Sequence, residues 1–304
     1  MQYIFGPLPS RRLGLSLGIS PIPRKTCNYS CIYCQLGRTD HLTNKRELFF
    51  PVNVIIEELE TTLAAKPAFD AATIVGEGEP TLYLGLGDLI EEVKARVDKP
   101  VAVITNGALV YLPEVRADLS KADIVLLSMD AYDQGSFQKI NRPHGKIKFI
   151  DIYEGLKIFS EQYQGQLWLE IMLMNDNVDE ESLGKYAQML RELKYQKLYL
   201  NTPVRPPAEP DINPLEHEKM QKAVSILGGV SIDLIHSQGF HSEITDHYAA
   251  ILSIIKRHPM NQFDIESFLK KRGCEDIEKI MDRLKQDRAV SELEYMGYLT
   301  YRLR

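Results

Sequence analysis

The sequence predicts an α/β chain. Residues 1–244 read as a partial (β/α)6-type TIM barrel, and residues 245–304 as a small winged-helix-like α+β domain. Three observations predict this: short β-branched runs alternate with longer helical patterns, several strands are apolar almost without interruption, and the alternation stops near residue 244. The strand candidates are Leu15–Ser20, Ala72–Gly76, Val101–Thr105, Ile124–Ser128, Leu167–Leu173, Lys197–Asn201 and Val230–His236. Between them, apolar residues at helical spacing predict helices over Val54–Leu63, Leu86–Val97, Pro113–Ser120, Phe149–Tyr163, Glu180–Leu193 and Leu215–Leu227. A strand such as Ile124-Val-Leu-Leu-Ser128 carries no polar alternation, as expected of a parallel sheet buried on both faces. In such folds chemistry gathers where strands end and loops begin. Beyond the barrel, His247–His258, Asp264–Lys271 and Glu275–Arg288 read as helices, and Ala289–Arg304 as two short strands around Met296-Gly297.

Length and composition agree with that division. The 304 residues suit one large unit and a small one, and 44% hydrophobic with 26% charged residues is ordinary for a globular chain. No apolar run approaches the ~18 residues of a membrane span, and the opening residues lack a charged segment followed by an apolar one; the expected location is the cytoplasm. A net charge of −6 argues against indiscriminate polyanion binding while permitting a local basic groove.

Four cysteines are too few for a disulfide scaffold, and their placement matters more than their number. Cys27, Cys31 and Cys34 fall within eight residues, whereas Cys274 stands alone, read as a small apolar residue at a helix start. Thiolates at spacings of four and three can wrap a loop around one metal centre. A structural zinc normally wants four protein ligands, so zinc would need a partner such as His41. Three thiolates on a four-iron cluster leave one iron open to a small molecule. Reduced structural cysteines are the third possibility.

The motif CxxxCx-aromatic-C, met here by Cys27, Cys31, Tyr33 and Cys34, resembles that of the radical S-adenosylmethionine (SAM) enzymes. The resemblance implies a [4Fe-4S] cluster on the three cysteines. Its open iron binds the methionyl part of SAM, and a reductive cleavage gives a 5′-deoxyadenosyl radical. It also implies a flavodoxin- or ferredoxin-type electron donor and a substrate that is a tRNA base, a peptide or a small metabolite.

Further segments at strand ends resemble the companion motifs of that family. Gly76-Glu77-Gly78-Glu79-Pro80 follows the second strand; glycines let a backbone approach a ligand, and carbonyls with a carboxylate suit the SAM ammonium. Asn106 ends the third strand, and Ser128 and Asp130 end the fourth, at positions that take up ribose hydroxyls or the methionyl carboxylate in the family. Glu170 sits in an otherwise apolar strand, so it needs a partner or a polar cavity. Met172, on the same face, either touches adenine or fills core. Arg11-Arg12, Arg24-Lys25, Asn141-Arg142-Pro143-His144 and Arg205 are candidate anion contacts, with solvated arginines as the plain alternative. His236 and His241 are candidate proton-transfer groups or structural histidines.

The opening Gly6–Gly14 segment and Asn201-Thr-Pro-Val-Arg-Pro-Pro207 resemble a wyosine-synthase-like branch of these proteins. That branch's archaeal tRNA enzymes carry further N-terminal cysteines, and none precedes Cys27, so their substrate does not transfer. The tail carries nearly equal numbers of basic and acidic side chains, which favours a protein-contact or substrate-presenting role over specific DNA binding. A different class of reading, an iron–sulfur sensor that reads DNA through its winged helix, would not require SAM-binding residues at successive strand ends.

Overall fold

The computed structural model describes residues 3–232, 240, 242, 244–295 and 298–304. The chain opens with a hairpin of β1 (Ile4–Ser10) and β2 (Gly14–Ile19), followed by two short strands, β3 (Thr26–Cys27) and β4 (His41–Leu42). Helices and strands then alternate: α1 (Val52–Ala64), β5 (Ala71–Ile74), α2 (Leu86–Lys94), β6 (Val101–Thr105), α3 (Pro113–Leu119) and β7 (Ile124–Ser128). Next come α4 (Gln134–Ile140), α5 (Phe149–Gln162), β8 (Gln166–Met172), α6 (Glu180–Arg191), β9 (Lys197–Asn201), α7 (His217–Leu227) and β10 (Val230–Ser231).

Eight strands form one sheet in the order β1-β2-β5-β6-β7-β8-β9-β10, parallel from β2 onward and antiparallel only between β1 and β2. Among the described residues its two ends, β1 and β10, are not paired, as in a partial TIM barrel. Alternate residues serve the two faces. Val125 and Leu127 of β7 join the large core against the helices, while Ile124 and Leu126 join Trp168 and Tyr199 on the inner face. Both faces are dry from Ile124 to Leu127, so those four residues are apolar, each fully buried side chain stabilising the fold by about 1.5–3 kcal/mol.

Besides the two-residue strands β3, β4 and Met260–Asn261, two longer elements depart from the expected list. The strand β1 forms despite Gly6, Pro7 and Pro9, because it lies at the sheet edge, where a missing ladder donor is tolerated, and its register shifts between Phe5 and Leu8. Helix α4 is too short to show a period and rests on a capping box, in which Asp133 Oδ1 accepts the Ser136 N–H at 2.8 Å. The expected strand Val230–His236 is seen as β10, paired with β9; its remainder, His236 and His241 lie outside the described residues.

The last sixty residues fold as α8 (His247–Ile255), β11 (Met260–Asn261), α9 (Gln262–Lys271), α10 (Ile277–Gln286), β12 (Val290–Tyr295) and β13 (Tyr298–Leu303). The three strands form an antiparallel sheet in the order β11-β13-β12. Their core, built on Ile251, Ile254, Phe268, Leu269 and Tyr301, takes in Leu8 of β1, with Phe5 packed against it. This unit therefore lies against the open edge of the barrel. Cys274 is half-buried against the same core. Among the described residues no helix is long and apolar enough to cross a membrane.

Candidate active site

The cysteine segment leaves the end of β2 and is tied into a closed loop at its neck. Strands β3 and β4 pair in parallel, Thr26 with His41 and Cys27 with Leu42, and the Thr43 N–H reaches the Cys27 carbonyl at 3.0 Å. Inside the loop, the Cys34 N–H donates to the Cys31 carbonyl at 3.2 Å and the Gly37 N–H to the Cys34 carbonyl at 3.0 Å. From outside, the Ser30 and Ile32 N–H groups bond the carbonyls of Asn141 and Ile140, both at 3.0 Å. The glycine segment backs the loop: the Glu79 N–H donates to the Thr26 carbonyl at 3.0 Å. A Cβ on Gly78 would collide with that same carbonyl, which is why glycine stands there.

The three cysteines are half-buried, and desolvation of their thiols pushes each above the usual thiol range. Amide donors face two of the sulfurs: Asn106 Nδ2 lies 3.6 Å from Cys27 Sγ, and Asn141 Nδ2 lies 3.5 Å from Cys31 Sγ. The Tyr29 N–H adds a third donor to Cys27 at 3.4 Å. Lys25 and Arg302 favour the thiolate of Cys34. Asn28, one residue from Cys27, is fully buried with its Nδ2 unpartnered among the described residues.

Two of the carboxylates expected at a ligand accept hydrogen bonds from the fold. Glu79 accepts from the Thr81 N–H and hydroxyl, the Thr105 hydroxyl and the Asn106 N–H, at 2.6 to 2.9 Å. Asp130 accepts from Tyr33 Oη, from Asn141 Nδ2 at 3.2 Å and from the Met172 N–H at 2.9 Å; burial pushes its carboxyl up to about 6. Both brace the cysteine loop. Met172 packs with Ile32, Tyr33 and Ile140 behind it. Ser128 is half-buried at the end of β7, in register with Glu170, which is buried in an ion pair with Arg12.

A second feature adjoins the loop. A cavity of about 450 Å3 begins at Gln35 and Leu36, runs past Gly76 and Glu77 to the inner-face residues Ser16, Thr73 and Ile104, and is closed by Arg257, His258 and Tyr295 of the C-terminal unit. Glu77 ties the two units together. Its buried carboxylate lies 3.4 Å from both Lys256 Nζ and Arg257 Nη2, and 3.8 Å from Arg24 Nε. Further ties run from Gln35 Nε2 to the Arg257 carbonyl at 3.0 Å and from Arg302 Nη1 to the Pro206 and Pro207 carbonyls at 3.5 and 3.4 Å.

A family model described as the radical SAM superfamily matches residues 22–187, which spans the cysteine loop, the glycine segment and the strands up to β8. The chain belongs to the radical SAM superfamily. A UPF0026 protein of Methanocaldococcus jannaschii is 36% identical over 99% of this chain and 96% of its own length. Among solved structures, SuiB of Streptococcus suis bound to S-adenosylmethionine aligns with a TM-score of 0.52 at 16% identity; the match covers 71% of this chain and 49% of SuiB. A radical SAM methyltransferase from Sphaerobacter thermophilus aligns with a TM-score of 0.52 at 15% identity, over 72% of this chain and 68% of that one. At such identities these two speak for the fold alone. Radical SAM proteins are enzymes whose cofactors are a [4Fe-4S] cluster and SAM.

The residues here fit that cofactor pair. Three half-buried thiols share one loop, Cys34 raising the pKa of both Cys27 and Cys31, with N–H donors on two sulfurs, and such donors tune iron–sulfur centres. They do not fit a single zinc: among the described residues no three His, Cys, Asp or Glu side chains converge on one ion, and His41 is exposed. The expected residues thus fall into two groups. Tyr33, Glu79, Asn106, Asp130 and Met172 surround the cysteine loop, whereas Gly76, Glu77, Arg11, Arg12 and Arg205 line the cavity. Arg142 belongs to neither, being paired with Glu209 at 2.5 Å; Arg24 bonds the Leu303 carbonyl at 2.9 Å. Sequence reading missed the amide of Asn141 on Cys31 and the contribution of Arg257 and His258 to the cavity.

Proposed function

We propose that the chain holds its [4Fe-4S] cluster on Cys27, Cys31 and Cys34, and that the enzyme acts on a substrate seated in the cavity between barrel and C-terminal unit. The observation that carries this reading is the cradle itself: three half-buried thiols on one tied loop, two of them facing amides, beside a cavity walled by the glycine segment. When bound, the cluster and SAM together supply an electron and a 5′-deoxyadenosyl radical able to take a hydrogen atom from that substrate.

The chain's own groups bind, orient and exclude. Three protein thiols leave one iron without a protein ligand. The Gly76–Gly78 backbone, bare of side chains, together with Glu77, Ser128 and Glu170, supplies carbonyl, hydroxyl and carboxylate groups for SAM, and Asn106 holds the sulfur of Cys27. Tyr33, Glu79, Asp130 and Met172 position the loop. The C-terminal unit, held on Glu77, keeps water from a reactive intermediate. We read 1–244 and 245–304 as the two units; the helix–strand–helix–helix–strand–strand order of the second supports a winged helix used as a lid. The glycine segment and the Asn201–Pro207 loop support placement near the wyosine-synthase-like branch, and a cytoplasmic flavodoxin- or ferredoxin-type protein is the expected electron source.

Anaerobic reconstitution tests the reading. The wild-type protein is expected to form 5′-deoxyadenosine from SAM with a strong reductant, Cys31→Ala to form none, and Cys274→Ala to match the wild type. A Cys31→Ala protein that cleaves SAM at the wild-type rate would overturn it.

A further inference from the structure

The cavity wall is built with an unbalanced charge. Four arginines reach it: Arg11 and Arg12 from the turn between β1 and β2, Arg205 from the loop after β9, and Arg257 from the C-terminal unit. Two have carboxylate partners, Arg12 on Glu170 and Arg257 on Glu77. The other two do not. Among the described residues neither Arg11 nor Arg205 has a carboxylate within 4 Å; Arg11 reaches only the Ile232 carbonyl at 3.5 Å, and Arg205 the Gln35 amide oxygen at 3.1 Å. Asp264, the remaining acid on the wall, is engaged at the start of α9, where it accepts the Asn261 N–H at 3.1 Å.

Like charges facing one another in a closed space are costly unless something pays with the opposite sign. Burial first, and then the charge of Arg11, hold Arg205 down to about 10 although Asp264 opposes them, and burial, with Arg205, Arg257 and Arg12, holds His258 down to about 3. Arg12 Nε is buried without a partner among the described residues. Guanidinium forks left open in this way match the planar or tetrahedral oxygens of carboxylate and phosphate. The C-terminal unit covers one side of the space, whose volume of about 450 Å3 suits a small occupant.

We propose that this cavity binds a small substrate through an oxyanion group, phosphate or carboxylate, held between the guanidinium groups of Arg11 and Arg205. This names the substrate class of the enzyme proposed above and rests on that reading. His258, neutral, serves as a hydrogen-bonding wall, and Arg12, fixed by Glu170, offers its free N–H.

Calorimetric titration of the full chain at low ionic strength, with inorganic phosphate in one arm and malonate in the other, tests it. Saturable binding of at least one is expected, and the stronger arm names the anion. Arg205→Gln and Arg11→Gln should each weaken it by about tenfold or more, while Arg142→Gln leaves it unchanged. Thermal unfolding without anion adds a readout that a structural role would not give: removing one of two repelling charges should leave the midpoint of Arg205→Gln level or raised, and phosphate or malonate should no longer raise it. Should Arg205→Gln fail to fold, Arg11→Gln, which gives up a single long contact, carries the comparison. No saturable binding in either arm, equal binding by both variants and the wild type, or displacement of the anion by SAM would overturn the proposal. Cys34→Ala separates the two readings, since it should lose SAM cleavage and keep anion binding. A protein that cleaves SAM but binds neither anion refutes the anion site alone.

Discussion

The cysteine loop and the arginine cavity are neighbours built on opposite principles. Around the loop nearly every polar group is engaged inside the protein: Glu79 has four donors, Asp130 has three, and Asn106 and Asn141 are divided between carboxylate or amide oxygens and sulfur. Across the cavity, two guanidinium groups face space without a carboxylate. A region that must hold a cofactor in one geometry is rigid and internally satisfied, while a region that must accept a transient ligand keeps its charge open. The comparison also separates positioning residues from binding residues, a distinction that motif matching blurs.

The largest effect should come from disturbing the fit behind the loop. Gly78→Val drives a branched side chain onto the Thr26 carbonyl, which is backbone and has no rotamer to escape into. Iron and sulfide after reconstitution should fall to background while the phosphate response of the cavity persists. Equal loss of both would mean that the two regions are one unit.

Next, Asp130→Ala deprives Tyr33, Asn141 and the Met172 N–H of their acceptor at once, a loss of about 2–4 kcal/mol in denaturant unfolding. Tyr33→Phe should cost only about 1 kcal/mol, since one bond is lost and both rings pack alike. If the two variants are equal, Asp130 does not brace the loop.

The tie between the regions is Glu77. Glu77→Gln leaves Arg257 and Lys256 facing a neutral amide, with an expected cost of about 3 kcal/mol. Hydrogen exchange should then accelerate across α8 and β13 but not across β7. Uniform acceleration would deny Glu77 its place as the latch.

The last effect is absent at neutral pH and concerns His258. Its folded pKa, about 3, is below its ordinary 6.5, held there by burial and by Arg205, Arg257 and Arg12. The unfolded chain therefore binds a proton that the folded chain refuses as pH drops below 6.5. Stability should be intact above that value and fall by up to about 1.4 kcal/mol per pH unit on the way to 3. His258→Gln should flatten that slope in urea titrations at pH 7 and pH 5; an unchanged slope would place the proton elsewhere.

Much of the barrel was legible because burial on both faces leaves a simple trace, an apolar run such as Ile124 to Leu127 with nothing polar in it. The strand β1 was not legible, since Gly6, Pro7 and Pro9 erase the pattern and only the β2 partner restores it. In the site, spacing alone announced the cysteines, and an acid inside an apolar strand announced that Glu170 needed a partner. The partner's identity was not local: Arg12 is 158 positions away, and Asn141 is 110 from Cys31. Likewise sequence shows the carboxylates of Asp130 and Glu79 but not the donors that folding brings to them. Arg11, Arg12 and Arg205 were legible one by one as candidate anion contacts; their meeting in one cavity was not, for it depends on a unit that the sequence sets at the far end of the chain.

The central claim is a cluster on three cysteines with one iron left to SAM. Electron paramagnetic resonance of the reconstituted, reduced protein tests it most directly. The account predicts one [4Fe-4S] signal whose g-values shift when SAM is added, and its loss in Cys34→Ala. A signal indifferent to SAM, or one that survives intact in that variant, would contradict it.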